Sequence, residues 1–125
     1  MATVLVVDDD ADVLNYLAEV LRDAGHDVIS ASGGNQALDC LDGAPRVELL
    51  LTDVRMPDLN GFHLAHLAKA RRPALKVLYI SGYHEVENRR SDGGERYGKL
   101  LKKPIMTAEL KREVETALGS NSPAA

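Results

Sequence analysis

The stretch Val4-Leu5-Val6-Val7-Asp8-Asp9-Asp10-Ala11-Asp12-Val13-Leu14 decides the fold. Val4 to Val7 is an unbroken apolar run, the pattern of a strand buried on both faces; a strand with one wet face would alternate. Three aspartates end the run. Asp10 can cap a helix whose inward stripe is Val13, Leu14, Leu17, Val20 and Leu21, offsets of three and four that mark one helix face, and Gly25 ends it.

The same rhythm recurs along the chain. Asp27 to Ala31 reads as a second strand, followed by a helix from Asn35 to Leu41 with Ala37, Leu38 and Leu41 inward; Gly43 and Pro45 punctuate the turn after it. Val47 to Thr52 is a third strand, Val54 to Asn60 a loop, and the next helix uses Leu64, Leu67 and Ala68 and must stop before Pro73. Lys76 to Ile80 is a fourth strand and Lys99 to Lys102 a short fifth. Thr107 can cap a last helix packed through Leu110, Val114, Ala117 and Leu118 before Gly119. Apolar strands separated by helices imply a parallel sheet covered on both sides, because parallel neighbours are joined by right-handed helical crossovers. The expected class is therefore α/β in three layers. One crossover breaks the pattern: Glu87 to Arg96 contains no apolar residue and includes Gly93 and Gly94, so a fourth helix there is expected to be short, displaced or mobile.

Composition narrows the function classes. With 125 residues, 45% hydrophobic and 27% charged, the chain has the size and balance of one globular domain, residues 1–119, with a tail at 120–125 that has little reason to be ordered. The apolar runs are too short for a membrane span, and no secretory leader precedes Thr3, so the expectation is a cytoplasmic protein. A formal charge of -4 argues against direct nucleic-acid binding and suits divalent cations or basic partners. The single Cys40 is read as a packing residue.

Ligands of open parallel sheets collect beyond the carboxyl ends of the strands. The first strand delivers Asp8, Asp9 and Asp10 there, the third Thr52 and Asp53, the fourth Ser81 and Gly82, and the fifth Lys102, Lys103 and Pro104. If the strands are neighbours, Asp8, Asp9 and Asp53 converge, and such carboxylates repel one another unless a cation or proton compensates. Mg2+ accepts a few carboxylates and keeps waters for a phosphate. Carboxylate, Mg2+, ammonium and hydroxyl together suit phosphoryl transfer, in which charge on the equatorial oxygens must be neutralised from several sides. Asp53, alone at its strand end, is the candidate nucleophile, and its aspartyl phosphate would be a labile acyl phosphate. Asp8 and Asp9 form the metal-holding pair.

Val6-Val7-Asp8-Asp9-Asp10, Leu50-Leu51-Thr52-Asp53-Val54-Arg55-Met56-Pro57-Asp58-Leu59-Asn60-Gly61, Tyr79-Ile80-Ser81-Gly82 and Lys102-Lys103-Pro104 resemble, in order, the four signature segments of response-regulator receiver domains. The resemblance covers nearly the whole chain. It implies a flavodoxin-like fold with strand order 2-1-3-4-5, and Asp53 as phosphoacceptor from the phosphohistidine of a histidine kinase or histidine phosphotransfer protein. Asp9, Asp53 and the backbone carbonyl of Arg55 would touch Mg2+, with Asp8 acting through a water. Ser81 and Lys103 would contact the phosphoryl oxygens, and the Lys103–Pro104 peptide would be cis, accessible because proline follows. Phosphorylation would switch a surface that binds a downstream protein, so the chain is expected to be a signalling phosphoacceptor rather than an enzyme. Arg55 and Tyr83 flank the site where the family tunes phosphate lifetime.

The chain departs from the family at Leu100, where many receivers place an aromatic residue three positions before the lysine; Tyr83 and Tyr97 are the candidates to replace it. Ser81-Gly82-Tyr83 before the apolar-free stretch is similar to receivers attached to or derived from hybrid histidine kinases, whereas the Met1 start favours a free-standing regulator. Two other functions compete. A phosphatase of the haloacid-dehalogenase type would use Asp8 as nucleophile and Asp10 as acid/base, but would need Thr or Val at Asp12 and a further acidic pair after the lysine, and neither is found. A receiver-like adaptor would bind partners without phosphorylation. His63 and His66 share a helix face without a third ligand in view, and Arg71, Arg72, Arg89 and Arg90 read as solvated charges, the last two able to meet an acidic partner.

Overall fold

The computed structural model describes residues 2–44, 46–82 and 97–119. In chain order the elements are β1 (Thr3–Val7), α1 (Ala11–Asp23), β2 (Asp27–Ala31), α2 (Gly34–Gly43), β3 (Leu49–Asp53), α3 (Gly61–Arg71), β4 (Lys76–Ser81), β5 (Gly98–Lys102) and α4 (Thr107–Gly119). The five strands form one parallel sheet in the order β2-β1-β3-β4-β5, as expected. The 87–96 stretch and the 120–125 tail, each the subject of an expectation, lie outside the described residues.

Alternation along the strands divides the core in two. Val4 and Val6 of β1, Leu49 and Leu51 of β3, and Leu78 and Ile80 of β4 face α1 and α4, packing with Leu17, Leu21, Leu110 and Val114. Leu5, Val7, Leu50, Val77 and Tyr79 face α2 and α3, packing with Ala37, Leu41, Leu64 and Ala68. Each such aliphatic side chain contributes about 1.5–3 kcal/mol on full burial, so both faces of β1, β3 and β4 are committed to the core and their register cannot slip.

Helix ends follow the local chemistry. Asp10 caps α1, its carboxylate accepting the N–H groups of Asp12 (2.9 Å) and Val13 (3.3 Å). At the other end Gly25, at φ 98°, turns the chain so that its N–H reaches the Arg22 carbonyl and that of His26 the Leu21 carbonyl. That pair of bonds closes the last turn, and the left-handed conformation favours glycine. Asn60 caps α3 through the His63 N–H at 2.8 Å.

Three expectations need correction. Thr107 is the first residue of α4 rather than its cap; the Met106 carbonyl accepts the first helical bond, from Leu110 N–H. On α3 the buried positions are Gly61, Leu64, Ala65 and Ala68, and Leu67 is only half-buried, because the helix turns Ala65 toward the sheet. Arg71 and Arg72 are not merely solvated: Arg71 pairs with Asp42 at 2.8 Å, and Arg72 donates to the carbonyls of Leu41 and Ala44. They tie the end of α3 to the end of α2, satisfying carbonyls that a helix terminus leaves open.

Candidate functional site

The strand order reverses between β1 and β3, and that is where the acidic residues lie. Val7 pairs with Thr52, which sets Asp8 beside Asp53 one step beyond. The ladders continue past the strand ends: Asp8 N–H reaches the Ala31 carbonyl at 3.2 Å, Val54 N–H the Ile80 carbonyl at 2.9 Å, and Lys103 N–H the Ser81 carbonyl at 2.8 Å. Backbone bonds thus hold the ends of β1, β3 and β5 rigidly enough to aim their side chains.

Those side chains converge. Ligand oxygens of Asp8, Asp9 and Asp53 lie within 4.8 Å of one another, the only such group of three found among the described residues. Lys103 reaches in from β5, its Nζ 3.2 Å from Asp8 Oδ2 and 3.4 Å from Asp53 Oδ1. Asp8 is fully buried and Asp53 is 5% exposed, whereas Asp9 is exposed.

Burial, then the neighbouring Asp8 carboxylate, pushes Asp53 up to about 7 against the pull of Lys103. Burial also raises Asp8, opposed by its bond from the Asp10 N–H (2.9 Å) and by Lys103. For Lys103 burial works against the charge, but the carboxylates of Asp53 and Asp8 more than offset it and hold the ammonium above the usual lysine value. The site therefore carries more buried negative charge than its lysine can balance. Asp8 Oδ2 accepts no hydrogen bond, since the approach of Lys103 is that of an ion pair without hydrogen-bond alignment. A buried carboxylate oxygen left this way, beside two further carboxylates, is a donor set that fits a hard divalent cation.

The backbone of Asp53 is gripped from two sides. Thr52 Oγ1 donates to its carbonyl at 2.9 Å, and α3 begins so close to it that a Cβ at Gly61 would stand 2.2 Å from that oxygen. Only glycine lets the helix start there.

Of the residues singled out in the sequence, Asp8, Asp9, Asp53 and Lys103 meet, and Lys102 stays exposed. Ser81 is buried at the end of β4, but its hydroxyl donates to the Gly82 carbonyl at 2.9 Å. Arg55 is exposed in the loop after Asp53, and the Lys103–Pro104 bond is cis. Asp10 is engaged as the cap of α1 through Oδ1. His66 meets the Tyr97 hydroxyl through Nδ1 at 2.9 Å. Leu100 is half-buried opposite Tyr79. Tyr83, Arg89 and Arg90 lie outside the described residues.

Sequence reasoning missed two contributors. Asp58, in the loop after Asp53, accepts the N–H groups of Gly34 (3.1 Å) and Asn35 (3.0 Å) and so caps α2, whose own N-cap, Gly33, has no side chain to do it. Those bonds hold the Asp58 carboxyl below its usual value. Gly33-Gly34 ahead of a helix pattern was the available signal. Tyr16, outside the inward stripe of α1, reaches the segment that follows Lys103.

The family model described as response regulator receiver domain matches residues 4–115. The chain is 34% identical over 118 residues to the response regulator receiver protein CpdR of Brucella abortus (strain 2308), covering 94% of this chain and 98% of that one. Its fold is similar to that of a response regulator receiver domain protein from Clostridium thermocellum, with TM-score 0.87 at 23% identity over 100% of both chains. It is also similar to the response regulator TrrA of Thermotoga maritima, solved in complex with Mg2+ and BeF, with TM-score 0.83 at 25% identity, covering 94% of this chain and 100% of that one.

Proposed function

The chain belongs to the response regulator receiver domain family, and from that premise we propose that Asp53 is the residue that takes up the phosphoryl group, with Ser81 and Lys103 contacting its oxygens. A receiver is a phosphoacceptor of two-component signalling that works with a cognate kinase, and it is not an enzyme in the ordinary sense. The observation that supports the residue assignment is the placement of Lys103 Nζ between Asp8 and Asp53, at 3.2 and 3.4 Å, in a site whose carboxylates outnumber its ammonium.

In this reading the ionised Asp53 oxygen attacks phosphorus of a phosphohistidine on the kinase or on a histidine phosphotransfer protein. The new O–P bond forms as the P–N bond breaks, and the electron pair returns to the imidazole nitrogen, which takes up a proton. Lys103 does two things: it favours the anionic form of Asp53, which burial opposes, and it supplies positive charge for the transferred oxygens. Ser81 would turn its hydroxyl from the Gly82 carbonyl to a phosphoryl oxygen. Asp9, Asp53 and the Arg55 carbonyl would hold Mg2+, with Asp8 acting through a water. Bound there, Mg2+ supplies charge neutralisation for both the carboxylates and the phosphoryl group.

The receiver unit in this proposal is residues 1–119. Phosphorylation switches a surface for a downstream protein, and with Leu100 in the usual aromatic position, Tyr97 against His66 is the described candidate to report it. A cytoplasmic setting completes the reading; no helix of the described residues is long and apolar enough to cross a membrane.

The test is incubation with Mg2+ and acetyl phosphate, or with a phosphorylated histidine kinase, followed by mass spectrometry of the site. Label on Asp53 that disappears in Asp53→Asn is the expected result. Label on Asp8, or none, would overturn the assignment.

A further inference from the structure

The Lys103 ammonium can serve the phosphoryl group only if its backbone is held in place, because a lysine side chain has four flexible bonds and is costly to order. One side of that backbone is anchored by the sheet, through Lys103 N–H to the Ser81 carbonyl at 2.8 Å. The other side runs through Pro104, Ile105 and Met106 to the start of α4, with no strand or helix of its own. There the Tyr16 hydroxyl takes over. It donates to the Ile105 carbonyl at 2.9 Å and meets Thr107 Oγ1 at 2.9 Å. A tyrosine hydroxyl has one proton to give and lone pairs to accept with, so the Ile105 bond uses the proton and the threonine hydroxyl donates in return.

The placement of Tyr16 is informative. It is 39% exposed, so its ring is not simply a core residue, and yet its hydroxyl bridges 89 and 91 residues of sequence. It also sits on α1, whose first turn is capped by Asp10, directly after Asp8 and Asp9. One side chain thus links the helix that follows the metal-facing carboxylates to the segment that carries the lysine.

We propose that Tyr16 is a positioning residue for Lys103: its hydroxyl, by holding the Ile105 carbonyl and the Thr107 side chain, sets the ammonium at the phosphoryl-receiving edge of the site. This rests on the role given to Lys103 above. Tyr16 itself touches neither Asp53 nor the transferred group; it acts through the backbone two residues beyond the lysine.

Beryllofluoride with Mg2+, a mimic of the phosphoryl group, tests it without any kinase. In Tyr16→Phe the ring stays and only the hydroxyl goes. Beryllofluoride affinity, measured by calorimetry at saturating Mg2+, is expected to fall about 3- to 10-fold, equivalent to about 1 kcal/mol, as the ammonium must be ordered on binding without its backbone anchor. Mg2+ affinity measured without fluoride should stay close to wild type, and the thermal midpoint of the metal-free protein should fall by no more than a few degrees, the share of the hydrogen bonds removed. Thr107→Val, which removes only the second partner, should act more weakly in the same direction, and it keeps the test open if Tyr16→Phe does not fold. Unchanged beryllofluoride affinity would overturn the proposal, as would an equal loss of Mg2+ affinity, which marks a general structural role. A wild-type protein that binds no beryllofluoride would instead sink the Asp53 and Lys103 assignment itself.

Discussion

The Asp58 carboxylate receives the backbone N–H of Asn35 at 3.0 Å, so the loop that leaves β3 closes the N-terminus of a helix on the neighbouring crossover. A cap supplied from a distant loop satisfies the same orphan N–H groups as a local one, and it also fixes the loop. Asp58→Ala should therefore cost about 1 kcal/mol in urea unfolding at neutral pH. The sign with pH is set by the lowered Asp58 carboxyl: its contribution is complete above the unfolded value, about 4, and is lost as pH falls through the folded one. Wild type and Asp58→Ala should accordingly converge in acid. A difference that does not narrow at all as pH falls below about 4 would show that the ionised carboxylate is not what caps α2.

Gly61 is expected to be the least tolerant glycine of the site. A methyl group there would press into the Asp53 carbonyl at 2.2 Å, a backbone atom held by β3 that cannot move aside. Gly61→Ala should destabilise the protein by roughly 2 kcal/mol or more, in the range of overpacked cores, and should displace Asp53 as it does so. Stability within a few tenths of wild type would mean that α3 can slide away from the strand end.

Asp53 makes the metal-free protein lose stability as pH rises from about 4 to about 7. Its folded carboxyl titrates at about 7 instead of 3.8, so the native state binds the proton more tightly than the unfolded chain. The stability this gives is present in full below the unfolded value and is lost as pH rises toward 7. Asn, which cannot ionise, escapes the loss. Asp53→Asn in EDTA should be more stable than wild type at pH 8, by something on the order of 2 kcal/mol, with the gap closing near pH 4. A gap that is the same at both pH values would place its origin elsewhere.

Removing the Asp9 carboxylate should weaken Mg2+ binding about tenfold or more, because Asp9 is the exposed member of the acidic group and the one open to a metal arriving from solvent. The chain has no tryptophan to report binding, so calorimetry or the rise of the thermal midpoint with Mg2+ is the suitable measurement. Unchanged Mg2+ affinity in Asp9→Ala would contradict its place among the ligands.

Much of this is legible in the sequence. The five strands, the helices that follow four of them and the gathering of Asp8, Asp9, Asp53 and Lys103 at one sheet edge come from local signals: unbroken apolar runs, helical spacing, caps and strand-end chemistry. These are properties of neighbours in sequence, and a chain that buries both faces of a strand must state it in consecutive residues. Element ends were less secure. The third strand begins at Leu49 rather than Val47, and α4 is entered from Met106, since termini are set by what the rest of the fold offers as partners.

Tertiary structure alone decided the rest. That Asp53 titrates near 7 follows from burial and from Asp8 lying beside it, neither of which a sequence position carries. That Asp58 caps α2, that Arg72 closes the same helix at its far end, and that Tyr16 holds the segment after Lys103 all depend on through-space distances between residues 23 to 91 positions apart. The sequence by itself determined which chemical groups arrive at the edge of the sheet, because periodicity places them there. Only the packed fold decided their charge, their spacing and what holds them, because desolvation and hydrogen-bond geometry exist only once distant segments have met.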